Sequence, residues 1–130
     1  MVPSEGGLTT KKLILDMIEA ANEISQKPHT YWTDQLNNLD SITGYYPLAE
    51  EIWNQTNGEI DAFVQCAGTA VSSRGVATVL KRHNPKLKMI VIEPGESAVL
   101  SGGQPGPHKI EGVGIGYTPV SYTHLTLPTN

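Results

Sequence analysis

The sequence predicts an α/β fold built on a parallel sheet, and three neighbouring segments carry that prediction. Residues 60–67, IDAFVQCA, form a short, mainly apolar run of the kind that makes a strand covered on both faces. Residues 73–83, SRGVATVLKRH, place Val76, Val79 and Leu80 on one side of a helix that Asn84-Pro85 ends. Residues 88–93, KMIVIE, supply a second apolar strand before Pro94. Strand, helix and strand in immediate succession make a βαβ unit, with parallel strands and a right-handed crossover.

The remaining elements follow in chain order. Residues 10–26, TKKLILDMIEAANEISQ, show a helical period: Leu13, Met17, Ala21 and Ile24 recur at three- and four-residue steps, and Ile14 and Ile18 widen the stripe. Thr9 or Thr10 caps its start, Pro28 helps to stop it, and Asp16, Glu19 and Glu23 form a solvated side. Tyr31-Trp32-Thr33 is a short β-prone piece within a polar loop, and residues 39–44 hold a short helical turn. Residues 47–58, PLAEEIWNQTNG, read as a helix with Pro47 in its first turn and Gly58 after its last. Leu48, Ile52 and Trp53 face inward there, while Glu50 and Glu51 favour the positive N-terminal end. Residues 95–119 are rich in Gly and Pro without a clear period and read as a long loop, a class of segment that is often functional.

Composition narrows the function classes. The 130 residues fit one domain or a piece of a larger one, and 38% apolar residues give a core of modest volume. Thirteen acidic against nine basic residues, with no basic block, give a nucleic-acid role no electrostatic support. No apolar run is long enough to cross a bilayer, and the N-terminus lacks the regions of a signal peptide. The single cysteine, Cys66, excludes an intrachain disulfide framework, suits a reducing cytoplasm and reads as a packed thiol in an apolar strand. No metal site is assigned.

The turn Gly68-Thr69-Ala70-Val71-Ser72 stands where a parallel strand ends and a helix begins. Ligands gather at the carboxyl ends of such strands, and a helix start offers unpaired N–H groups and partial positive charge to an anion. Gly68 permits a tight turn, Ala70 allows close backbone approach, and Thr69, Ser72 and Ser73 add hydroxyl donors. Such a turn equally serves as a plain connector with a hydroxyl cap, and it matches neither G-x-G-x-x-G nor G-x-x-x-x-G-K-[ST]. A small anion-binding module without enzymatic activity satisfies the same residues.

Residues 93–119, EPGESAVLSGGQPGPHKIEGVGIGYTP, closely resemble the cysteine synthase segment that reads EP-x-x-S and then S-G-G-x-P-G-P-H-K-I-x-G-x-G. Upstream, Gln35-Leu36-Asn37-Asn38 is similar to the family's Q-F-x-N, and Glu50-Glu51-Ile52-Trp53 to its E-I-W segment. These are fold-type II pyridoxal-phosphate enzymes, related to cystathionine β-synthase and threonine dehydratase, which are less similar over these motifs. The resemblance covers residues 8–119 and implies part of a three-layer sandwich with a parallel sheet, of the tryptophan synthase β type. It also implies pyridoxal 5'-phosphate as cofactor, an O-activated serine as substrate, β-replacement by a sulfur nucleophile to give cysteine, and a cytoplasmic homodimer.

By that resemblance Gly68, Thr69, Ala70, Val71 and Ser72 occupy the family's G-T-G-G-T phosphate loop, with Ala and Val in place of two glycines. Val71 is expected to fit less well than Ala70, because β-branched residues resist positive φ. Gln35 and Gly112 match substrate-facing positions, Arg74 is a further phosphate candidate against a surface reading, and His108 reads as structural. The family's Schiff-base lysine lies in an upstream S-V-K-D-R type motif, and no lysine here has that context, so no catalytic residue is assigned and the chain alone is expected to be inactive. The resemblance thus divides the chain into residues 1–119, the middle portion of an enzyme domain, and residues 120–130, VSYTHLTLPTN, a tail foreign to the pattern in which His124 carries no role.

Overall fold

The computed structural model describes residue 2 and residues 4–123; the tail assigned to 120–130 therefore lies outside the described residues from 124 on. The chain divides into two compact units, Met1–Asp34 with Glu93–Thr118 and Gln35–Ile92 with Pro119–Asn130.

The second unit holds the predicted βαβ motif. Strand β1 (Ala62–Cys66) and strand β2 (Lys88–Ile92) pair in parallel, from Ala62 against Lys88 to Cys66 against Ile92. With helix α1 (Lys11–Ser25) in the first unit and helix α2 (Tyr46–Gln55) preceding β1, the crossover helix is α3 (Val71–His83), and a single turn α4 (Val120–Thr123) follows. Before α2, Asp40–Tyr45 forms a 3-10 helix, and α2 takes Pro47 into its first turn as its missing N–H allows. The core gathers Ala49, Val76, Val79, Leu80 and Leu87, with Trp53 and Phe63 against it. The inward positions read from the helical period of α3 are all there.

Helix ends follow local chemistry. Thr10 caps α1 by accepting from the Leu13 N–H at 3.1 Å. Gly58 follows α2 at φ +73, and its N–H reaches the Trp53 carbonyl at 2.9 Å. Asn84, held extended before Pro85, ends α3 while its side-chain amide donates to the Ile60 carbonyl at 3.3 Å.

Five readings change. Leu48, expected to face inward on α2, is exposed, and Ala49 is the buried residue of that helix. Tyr31-Trp32-Thr33 forms no strand. Helix α1 has no buried residue, and Met17 and Ile24 are exposed, so its half-buried side centres on Ile14, Ile18 and Ala21. The sheet is covered on one face only: alternation turns Phe63, Gln65, Met89 and Val91 inward and leaves Val64, Cys66, Ile90 and Ile92 exposed. Cys66 is therefore an exposed free thiol rather than a packed one.

Candidate functional site

The turn from β1 to α3 is built by one unusual residue. Ala70 takes φ 61 and ψ 4, the left-handed conformation, at about 1–2 kcal/mol for a residue with a β-carbon. That single residue reverses the chain, so Val71 already stands in the helix and α3 starts two residues earlier than its apolar period indicates. The strain expected at Val71 thus falls on Ala70. Ala67, Ala70 and Val71 are buried, whereas Gly68, Thr69 and Ser72 are half-buried.

The start of α3 is left uncapped. Its first helical bond runs from the Arg74 N–H to the Ala70 carbonyl at 2.9 Å, so the N–H groups of Val71, Ser72 and Ser73 precede the ladder. Ala70 offers no side-chain cap, and no acidic residue stands in the first turn. The Val71 N–H has the Thr69 Oγ1 only at 3.4 Å. Lys81, Arg82 and His83 complement the other end of the helix dipole. What is left at the N-terminal end suits an anion.

Beside this turn lies a polar network that sequence reasoning missed. Gln65, on the covered face of β1, donates from Nε2 to Ser72 Oγ at 2.8 Å and accepts at Oε1 from Ser73 Oγ at 3.2 Å. Ser73 is fully buried. A glutamine within an apolar strand, seven and eight residues before two serines, was the available signal. Arg74 is half-buried rather than a surface residue, and its Nη1 is buried without a hydrogen-bond partner among the described residues. A buried donor left so carries a desolvation cost that an anionic ligand would relieve.

The other residues singled out in the sequence stand as follows. Gln35 is exposed, in a turn at the start of the second unit. Gly112, in the first unit, has φ +76, and nothing lies within 4 Å of where its β-carbon would stand. Gly114 and Gly116 are closed in instead: a β-carbon would lie 2.7 Å from His108 Nε2 at the first and 2.8 Å from Lys11 Cβ at the second. His108 serves the fold of that unit, buried and joined to Thr9 in an isolated antiparallel bridge. Its Nδ1 accepts from the Ile110 N–H at 3.3 Å, which leaves Nε2 to donate to the Gly114 carbonyl at 2.9 Å. The Glu93 carboxylate anchors the S-G-G segment, accepting from the Leu100 N–H at 2.8 Å, the Ser101 N–H at 2.7 Å and the Ser101 hydroxyl at 2.6 Å. Burial, and secondarily the carboxylate of Asp34, raise the Tyr117 phenol above its ordinary value of 10.0.

Comparison with known proteins places this architecture. Residues 5–127 match the family described as "Pyridoxal-phosphate dependent enzyme". A cysteine synthase of Staphylococcus aureus is 47% identical over 105 residues, which is 78% of this chain and 34% of the relative. A cysteine synthase of Helicobacter pylori is 33% identical over 120 residues, 91% of this chain and 39% of the relative. Among solved structures, the cysteine synthase of Entamoeba histolytica superposes with a TM-score of 0.72 at 40% identity, covering 78% of this chain and 31% of its own. The chain thus spans between 34% and 39% of the length of these two curated relatives. The partial α/β fold with a parallel sheet is that of fold-type II enzymes, and the chain belongs to the family of pyridoxal-phosphate dependent enzymes, with cysteine synthases as its relatives.

Proposed function

We propose that this chain is the phosphate-holding portion of a cysteine synthase-type enzyme, which replaces the activated β-substituent of an O-activated serine with a sulfur nucleophile to give cysteine. The observation that carries this reading is the Ala70 turn, a left-handed residue between a parallel strand and a helix without a side-chain cap from that residue, in the segment that resembles the family's phosphate loop. The residues present fit a phosphate group. The N–H groups of Ser72 and Ser73, that of Val71 with only the Thr69 Oγ1 at 3.4 Å, and the Thr69 and Ser72 hydroxyls offer donors without a competing acid in the first turn of α3. Arg74 stands on that same first turn, and its Nη1 is buried without a hydrogen-bond partner among the described residues.

When bound, pyridoxal 5'-phosphate supplies the electron sink for carbanion chemistry. The part of these residues is to grip its phosphate and so fix its orientation. Gln35 and Gly112 are assigned to substrate contact on the strength of the family resemblance. None of the chain's lysines stands in the context of the family's Schiff-base lysine, so these 130 residues bind the cofactor without fixing it covalently. No helix among the described residues is long and apolar enough to cross a membrane. We assign the parent enzyme to the cytoplasm, as a homodimer.

Titration of the full 130-residue chain with pyridoxal 5'-phosphate tests this reading. Saturable binding that Gly68→Val weakens at least tenfold is expected, because a branched side chain obstructs approach to the loop backbone. Borohydride treatment should label no single lysine; one stoichiometric lysine adduct, or binding indifferent to Gly68→Val, would overturn it.

A further inference from the structure

A primary amide within the covered face of a sheet is costly to bury unless both of its ends are bonded. Gln65 meets that condition through the two serines at the start of α3, and the bonds have a direction. Ser73, with 0% exposure, donates to Oε1, and Nε2 faces Ser72. Ser72 Oγ, taking a hydrogen from Nε2 at 2.8 Å, keeps its own hydrogen for another acceptor. Gln65 lies in the strand, outside the loop that meets the phosphate, and the Ser73 hydroxyl is bonded back to it, so that only the Ser73 backbone N–H is offered to the anion.

We propose that Gln65 is a positioning residue which, locked by Ser73, fixes the Ser72 hydroxyl as a hydrogen-bond donor to the phosphate held at the Gly68–Ser72 turn. The inference rests on the phosphate reading above and deepens it. In water a serine hydroxyl samples three rotamers and spends its hydrogen on solvent. Occupying one of its lone pairs from the strand side restricts that freedom, and part of the ordering cost of binding is met before the anion arrives. The opposite amide orientation would have the reverse effect: Oε1 would claim the Ser72 hydrogen and withdraw it from the ligand.

The test is a double-mutant cycle on the full chain, read as the affinity for pyridoxal 5'-phosphate and for inorganic phosphate, with circular dichroism and melting recorded for each variant. Ser72→Ala should weaken binding about tenfold or more, as expected for a hydrogen bond to a charged acceptor. Gln65→Leu should weaken it roughly three- to tenfold in the parent chain and by less than about twofold in the Ser72→Ala background, because it acts through Ser72. Ser73→Ala, which keeps a good helix former and leaves Gln65 in place, should weaken binding about two- to fivefold and provides the test if Gln65→Leu fails to fold. An equal Gln65→Leu effect with and without Ser72, no effect of Gln65→Leu or Ser73→Ala, or tighter binding on Gln65→Leu each overturn the inference. If Ser72→Ala and Gly68→Val both leave affinity unchanged, the phosphate reading itself fails.

Discussion

Replacing Gly75 by alanine probes the contact that sets α3, and with it the Gly68–Ser72 turn, against the 3-10 helix of the second unit. A β-carbon at Gly75 would stand 2.6 Å from the Ile42 carbonyl oxygen and 2.7 Å from Tyr45 Cβ. Neither atom is the far end of a flexible side chain, so α3 and the 3-10 helix Asp40–Tyr45 must separate by several tenths of an ångström or more. Overfilling of this kind costs about 1–3 kcal/mol. Alanine returns about 0.8–1.0 kcal/mol of helix propensity over glycine. With Gly75 and Ile42 both buried and the nearest contact a backbone oxygen at 2.6 Å, the steric cost falls in the upper part of that range, about 2–3 kcal/mol, and the net loss should be about 1–2 kcal/mol. Urea unfolding followed by tryptophan fluorescence measures it, since Trp53 packs against the core beside α3. Gly44→Ala is the control: no atom lies within 4 Å of where that β-carbon would stand, and its effect should remain within about 0.5 kcal/mol. A Gly75→Ala chain as stable as the parent would refute the close approach of α3 to Ile42.

Three further outcomes follow from the same geometry. Ala70→Gly should retain or tighten phosphate binding by relieving the left-handed strain, whereas Ala70→Val should weaken it at least tenfold, since β-branched residues strongly resist φ of 61; calorimetric titration of both variants decides. Glu93→Ala removes three hydrogen bonds to one carboxylate and should raise amide exchange at Leu100 and Ser101, with a loss of about 2–3 kcal/mol read by hydrogen exchange. The Tyr117 phenol, raised in the folded chain, favours the folded state while it is protonated, so its contribution is intact below pH 10.0 and is lost as pH rises through the folded value. Alkaline unfolding should therefore begin at higher pH in Tyr117→Phe, and an unchanged alkaline limb would contradict this.

Much of the fold was legible in the sequence because local signals and tertiary partners agree in the βαβ segment. The Thr10 cap, the Pro47 start, the Asn84-Pro85 stop and the Val76, Val79 and Leu80 face all rest on chemistry within a few residues. Exposure was harder. An apolar strand reads alike whether one face or two is covered, so Val64, Cys66, Ile90 and Ile92 gave no sign that their side lies open. The loop's conformation was only half legible: alanine rarely takes a left-handed φ, and composition made the β-branched neighbour seem the problem. The Gln65 network joins a strand to a helix across the turn, and such a pairing emerges only when both elements are placed.

Amide NMR of the isotopically labelled 130-residue chain, titrated with pyridoxal 5'-phosphate, decides whether the Gly68–Ser72 turn grips a phosphate. Saturable downfield shifts are expected on the N–H groups of Val71, Ser72 and Ser73, reproduced more weakly by inorganic phosphate and reduced at least tenfold in affinity by Ala70→Val. Shifts confined to other parts of the chain, or none at these three amides at saturation, would contradict that grip.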